Sequence, residues 1–170
     1  MTLMPEGTEH RSVTLMVNKQ TYVVDIEPRR TLADVLRDEC GLTGTHLGCE
    51  QGVCGACTVL LDGSPARSCL SFAAGCEDKE ITTVEGREHD EVIATVQQVI
   101  IEEDALQCGF CTPGFVVLLA GLVHMGWKGD ETELAAAMSS NICRCTGYQG
   151  LMRAARRLLM PTSDATTDHA

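Results

Sequence analysis

The sequence predicts an α+β fold in two successive parts, a small mixed sheet followed by a helical bundle. Three observations carry that expectation. β-Branched runs dominate the first half, apolar residues recur at helical spacing after a polar stretch at 85–90, and eight of the ten cysteines fall into two groups, one in each half. With 170 residues, the chain can bury roughly 70% of its unfolded surface, enough for one ordinary domain or two small ones without disulfide staples.

Residues 12–17, SVTLMV, and 21–26, TYVVDI, predict a hairpin whose strands are separated by Asn18, Lys19 and Gln20. Thr31 is placed to cap a short helix that carries Leu32, Val35 and Leu36 on one face and should cover the hairpin. Beyond a glycine-rich loop, residues 58–61 predict a strand and Asp62-Gly63 a turn, with short strands expected near Arg67 and over 81–84. The polar stretch at 85–90 then divides a domain at 1–86 from a second at 87–161. In the second, Val92, Val96, Val99 and Ile100 predict one helix. Another follows Thr112, read as its N-cap, with Pro113 at the first helical position where the missing N–H costs nothing. Asp130 and Glu133 form a capping box for a third, and Leu151, Ala155, Leu158 and Leu159 mark a fourth that stops before Pro161. The polar tail at 162–170 is expected to be disordered.

Charge narrows the function. Thirteen Lys and Arg against 24 Asp and Glu give a formal −11, which offers no attraction to nucleic acid or anionic lipid. The first residues never build an apolar signal core, and the apolar run at 115–125 is shorter than the roughly 20 residues of a membrane helix. A soluble cytoplasmic chain is expected, without membrane insertion. In that reducing compartment, grouped cysteines point to metal or redox chemistry before disulfides.

Cys49, Cys54, Cys57 and Cys69 lie in CEQGVCGACTVLLDGSPARSC, a C-x4-C-x2-C run with a fourth cysteine after eleven residues. The first three match the plant-type spacing for a 2Fe–2S centre. Such a centre needs four thiolates on two iron atoms and backbone N–H groups turned toward sulfur, so side chains must stay out of the way. Gly44, Gly48, Gly52 and Gly55 supply that clearance. A zinc knot more often pairs two C-x2-C hooks, and a Rieske centre requires two histidines that this pattern lacks. The second group, Cys108 and Cys111 in QCGFCTPGF with Cys143 and Cys145 in NICRCTGY, sits in two inter-helix loops that can meet. Spacing there leaves open zinc, a thioredoxin-like pair and a second iron–sulfur centre.

QCGFCTPG and NICRCTGY, together with GCEQGVCGACTVLLDG, resemble the iron–sulfur small subunit of xanthine oxidase family molybdenum hydroxylases over almost the whole chain. The resemblance implies an N-terminal β-grasp, plant-type ferredoxin domain followed by a C-terminal four-helix bundle domain. It implies that Cys108, Cys111, Cys143 and Cys145 ligate a second 2Fe–2S cluster nearer the molybdenum, and that Gln107 and Cys145 approach the pterin of a molybdenum cofactor, in its cytosine dinucleotide form, held by a large subunit. A medium subunit would carry FAD, in a dimer of heterotrimers. The implied function is electron relay from molybdenum through both clusters to flavin during oxidative hydroxylation of a small molecule, with no catalysis toward substrate by this chain alone. No G-x-G-x-x-G fingerprint occurs, which agrees with a flavin held elsewhere. His46 stands where lysine is common in the family, and Ser140 where glycine often precedes Asn141.

Cys40 and Cys76 remain after eight ligands are assigned and read as buried or incidental thiols, not as catalytic nucleophiles. His46 and His124 read as structural or exposed histidines, Trp127 and Tyr148 as packing or interface residues, and Arg144 as either a surface charge or an offset to cluster charge.

Overall fold

The computed structural model describes residues 9–160, so the polar tail expected at 162–170 lies outside the described residues. The first part contains β1 (Arg11–Val17), β2 (Gln20–Ile26), α1 (Leu32–Asp38), β3 (Thr58–Leu61), β4 (Ser64–Arg67) and β5 (Glu80–Thr82); the second contains α2 (Glu91–Glu102), α3 (Thr112–His124), α4 (Glu131–Ser139) and α5 (Gln149–Leu159). The strands form one mixed sheet in the order β2-β1-β5-β3-β4, with β1 and β5 parallel and the other pairs antiparallel. The fold is α+β, with a small mixed sheet and five helices among the described residues.

Alternation sets the inner face of the sheet. Val13, Leu15 and Val17 of β1 and Ile26 of β2 are almost fully buried, and they meet Leu32, Val35 and Leu36 of α1 as the sequence periodicity requires. Thr31 caps α1 by accepting from the Asp34 N–H. The first hairpin turns more tightly than expected, because Gln20 already pairs with Val17 and the loop is Asn18-Lys19 alone. Both residues have positive φ, the form that matches strand twist in two-residue hairpins. Asn18 replaces the usual glycine chemistry by exchanging two 2.9 Å hydrogen bonds with Thr83, which ties the turn to the end of β5. β5 accordingly ends at Thr82, and Thr83 caps a 3-10 turn.

The apolar run of the second part becomes α3, buried on every side from Gly114 to Leu122. One side faces β3 and β4: a Cβ on Gly121 would lie 2.5 Å from Pro65 Cγ and 2.9 Å from Leu60 Cδ2. The other faces a core of Ile93, Ile100, Leu134, Met138 and Leu151 from α2, α4 and α5. No helix among the described residues is long and apolar enough to cross a membrane. One expectation needs correction. Thr112 lies inside α3 and Cys111 occupies the N-cap position, because the Thr112 N–H bonds back to Gly109 in a turn that starts the helix early. α5 starts at Gln149, after Tyr148 in the left-handed region. Asp130 and Glu133 do form the capping box of α4.

Burial at the sheet centre predicts that Ile81→Ala costs about 2–5 kcal/mol in urea unfolding. The Glu80 N–H and the Lys79 ammonium hold the Asp62 carboxyl below the usual carboxylate range. A depressed folded-state value stabilises the fold above the unfolded-state value and is lost as pH falls through the folded one. Asp62→Asn should therefore lower the urea midpoint at neutral pH and flatten its decline below pH ~4.

Candidate metal centres

The first hollow is built between α1, β3 and β4. The β3–β4 ladder pairs Thr58 with Arg67, which sets Cys57 and Cys69 at adjoining strand ends. The Ser68 hydroxyl and N–H both donate to the Cys57 carbonyl, at 2.7 and 3.2 Å. Both thiols are buried, packed with Ala33 and Leu47. The loop carrying Cys49 and Cys54 is tied at its base by Arg37, which donates to the carbonyls of Thr43 and Thr45 at 2.8 and 2.9 Å. Glu85 accepts from the Gly44 N–H at 2.6 Å.

Inside this hollow the backbone already favours a sulfur anion. The N–H groups of Gln51 and Cys54 point at Cys49 Sγ, at 3.4 and 3.3 Å, and draw its thiol down to about 6. Burial, then the neighbouring Cys57, pushes Cys69 up to about 11. Gly52 and Gly55 take positive φ at the turns of the loop. Gly48 approaches closely, since a Cβ there would stand 3.2 Å from Cys54 Sγ.

The second hollow joins the α2–α3 and α4–α5 connections. Cys108 and Cys145 bring their sulfurs to 3.5 Å, so the two pairs expected to meet do meet. Burial, then contact with Cys143, pushes Cys111 up to about 12. Burial works against ionisation of Cys143 as well, but the Thr146 hydroxyl at 3.1 Å and N–H at 3.5 Å outweigh it and the net shift is downward. Tyr148 organises this loop: its hydroxyl donates to the Asn141 carbonyl at 2.9 Å and accepts from the Cys143 N–H at 3.0 Å, while its ring packs edge-on against Phe115. The sequence pattern points to packing or an interface for Tyr148 and singles out neither Thr146 nor Arg37. Their common signal was a hydrogen-bonding side chain a few residues from a cysteine or at the foot of its loop.

The hollows adjoin. The Ile142 N–H donates to the Cys54 carbonyl at 2.9 Å, and Arg67 donates to the Ser140 carbonyl at 2.7 Å. His46 stacks on Phe110, with ring centroids 5.0 Å apart, and Nδ1 lies 2.8 Å from the Phe110 carbonyl. Gln107, Cys108, Arg144 and Cys145 are all exposed, so the second hollow opens to the surface. Cys40 and Cys76 instead join the sheet core, where burial pushes the first to about 11 and raises the second. His124 pairs with Asp90 at 2.8 Å, and Trp127 packs against the helical core.

Among the described residues, no group of three or more His, Cys, Asp or Glu closes on one point as a single bound ion requires. The donor set of each hollow, four thiols with N–H or hydroxyl donors aimed at sulfur, fits a thiolate-held iron–sulfur centre.

Comparison with known proteins agrees. Residues 15–95 match the 2Fe–2S iron–sulfur cluster binding domain family, and residues 83–156 match a further 2Fe–2S binding domain family. The chain is 44% identical over 160 residues to the caffeine dehydrogenase subunit gamma of Pseudomonas sp. (strain CBB1), covering 92% of this chain and 95% of that one. It is 48% identical to the 6-hydroxypseudooxynicotine dehydrogenase complex subunit beta of Paenarthrobacter nicotinovorans, over 84% of this chain and 89% of that one. The crystal structure of quinoline 2-oxidoreductase from Pseudomonas putida 86 superimposes with a TM-score of 0.78 at 42% identity, covering 89% of this chain and 92% of the matched one.

Contact between the hollows predicts the effect of one added carbon. A Cβ at Gly114 would lie 2.3 Å from the Gly55 carbonyl oxygen, whereas one at Gly75 meets nothing within 4 Å. Gly114→Ala should lose about 1–3 kcal/mol in urea unfolding and bind less iron on reconstitution, and Gly75→Ala should change neither.

Proposed function

The chain belongs to the iron–sulfur small subunits of the xanthine oxidase family of molybdenum hydroxylases, and we propose that it carries two 2Fe–2S centres through which electrons from a molybdenum–pterin centre reach a flavin. Cys49, Cys54, Cys57 and Cys69 hold one centre, and Cys108, Cys111, Cys143 and Cys145 hold the other. The chain divides into a β-grasp ferredoxin domain at 1–86 and a four-helix bundle domain at 87–161. The observation that carries this reading is the adjacency of two four-cysteine hollows, one in the sheet half and one among the helices, joined by the Cys54–Ile142 hydrogen bond. When bound, each centre stores and releases one electron.

This chain's residues keep the two centres close, shield the first and present the second to a partner. Buried Cys57 and Cys69 exclude water on the sheet side. Exposed Gln107 and Cys145 face outward and contact the pterin held by a large subunit, in its cytosine dinucleotide form. A medium subunit supplies FAD, and the complex is a cytoplasmic dimer of heterotrimers that hydroxylates a small molecule. The acidic surface, formally −11, gives no basic platform for nucleic acid.

Native purification with metal analysis tests the reading. The expected result is two iron and two acid-labile sulfides per centre, two distinguishable paramagnetic signals after reduction, and copurification of a molybdenum subunit. Cys57→Ser should remove or alter one signal, and Cys111→Ser the other. A colourless chain containing zinc, or one isolated without large partners, overturns it.

A further inference from the structure

Asn141 is 1% exposed, and its side-chain Nδ2 and Oδ1 are both buried without a hydrogen-bond partner. A buried amide left unpaired is destabilising, so such a residue calls for a partner outside the polypeptide. Its position indicates which one. Asn141 lies two residues before Cys143 and presses on the loop between Cys54 and Cys57: a Cβ on Gly55 would fall 2.0 Å from its Oδ1 and 2.4 Å from its Cγ. The neighbouring Ile142 N–H is already bonded to the Cys54 carbonyl. The Gly55 carbonyl is used twice, by the Thr58 N–H and hydroxyl.

Donors to sulfur are also unevenly supplied. Backbone N–H groups reach Cys49, and the Thr146 hydroxyl and N–H reach Cys143, but among the described hydrogen bonds none reaches Cys54. Asn141 turns Oδ1 toward Gly55 and Nδ2 toward the Gly114 side, so a half-turn of the amide about its last bond is what brings its two N–H donors to that segment.

We propose that the Asn141 side-chain amide donates a hydrogen bond to sulfur of the centre held by Cys49, Cys54, Cys57 and Cys69, so that a residue of the helical half tunes the potential of the cluster in the sheet half. The inference rests on the function proposed above. A donor to sulfur stabilises the more negative, reduced state and raises the potential. Asn141 is a positioning residue as well, because its side chain occupies the space that Gly55 and Gly114 leave.

The chain contains two asparagines, Asn18 and Asn141, and Asn18 is already committed to Thr83. Selective nitrogen-15 labelling of asparagine side chains in the full, cluster-loaded chain therefore isolates the contact. Pulsed paramagnetic resonance of the reduced protein is expected to show a nitrogen-15 coupling on the signal that Cys57→Ser disturbs. The coupling should persist in Asn18→Ser and disappear in Asn141→Leu. In a redox titration, Asn141→Leu should retain both signals and lower the reduced-to-oxidised ratio of that centre about tenfold at fixed potential, a shift of 59 mV for one electron. Two normal signals without the coupling in labelled wild-type protein overturn this inference and leave the proposed function standing, even if Asn141→Leu fails to assemble. Absence of both signals overturns the proposed function instead.

Discussion

Gly55, Gly114 and Asn141 meet with no room for one more carbon atom, and the two cysteine hollows are held together by that contact. The turns of the first hollow include Gly52 and Gly55, both at positive φ, and its buried Cys57 and Cys69 pack on Ala33 and Leu47. Support comes from outside. The β3–β4 ladder and Ser68 fix one end of the first loop, Arg37 its base, and Tyr148 holds the second loop from behind.

Charge follows the same economy. Two arginines beside the hollows, Arg37 and Arg67, donate to backbone carbonyls and to the Thr58 hydroxyl rather than to sulfur. Anionic sulfur is instead met by neutral dipoles, the N–H groups at Cys49 and the Thr146 donors at Cys143. Fixed dipoles at close range respond little to salt and do not titrate, unlike a surface ammonium. Hydrogen-bond number and burial therefore become the levers on a bound centre's potential.

Much of the fold was legible because its signals are local. Alternating Val and Leu predict which face of β1 is buried, Thr31 and the Asp130–Glu133 pair announce helix starts, and Asp62-Gly63 announces a turn. The first cysteine group was legible for a similar reason, since three of its members share one loop. Boundaries shifted where a hydrogen bond absent from the apolar pattern decides the outcome, distant in one case and three residues away in the other. Asn18-Lys19 turns as a pair because Thr83 bonds to Asn18 across 65 residues, and α3 starts early because the Cys108–Cys111 turn runs into it.

Spacing and composition determined that this chain gathers thiols in two places and alternates its apolar residues for a sheet and then for helices. Those properties follow from bond geometry and helical or pleated period, which act over a few residues. Tertiary structure alone decided that the two gatherings are neighbours, that Cys145 reaches Cys108 across 37 residues, and that α3 is buried on all sides by serving both halves. Such contacts depend on shape complementarity between segments far apart in the chain, and no local period encodes the distance between them.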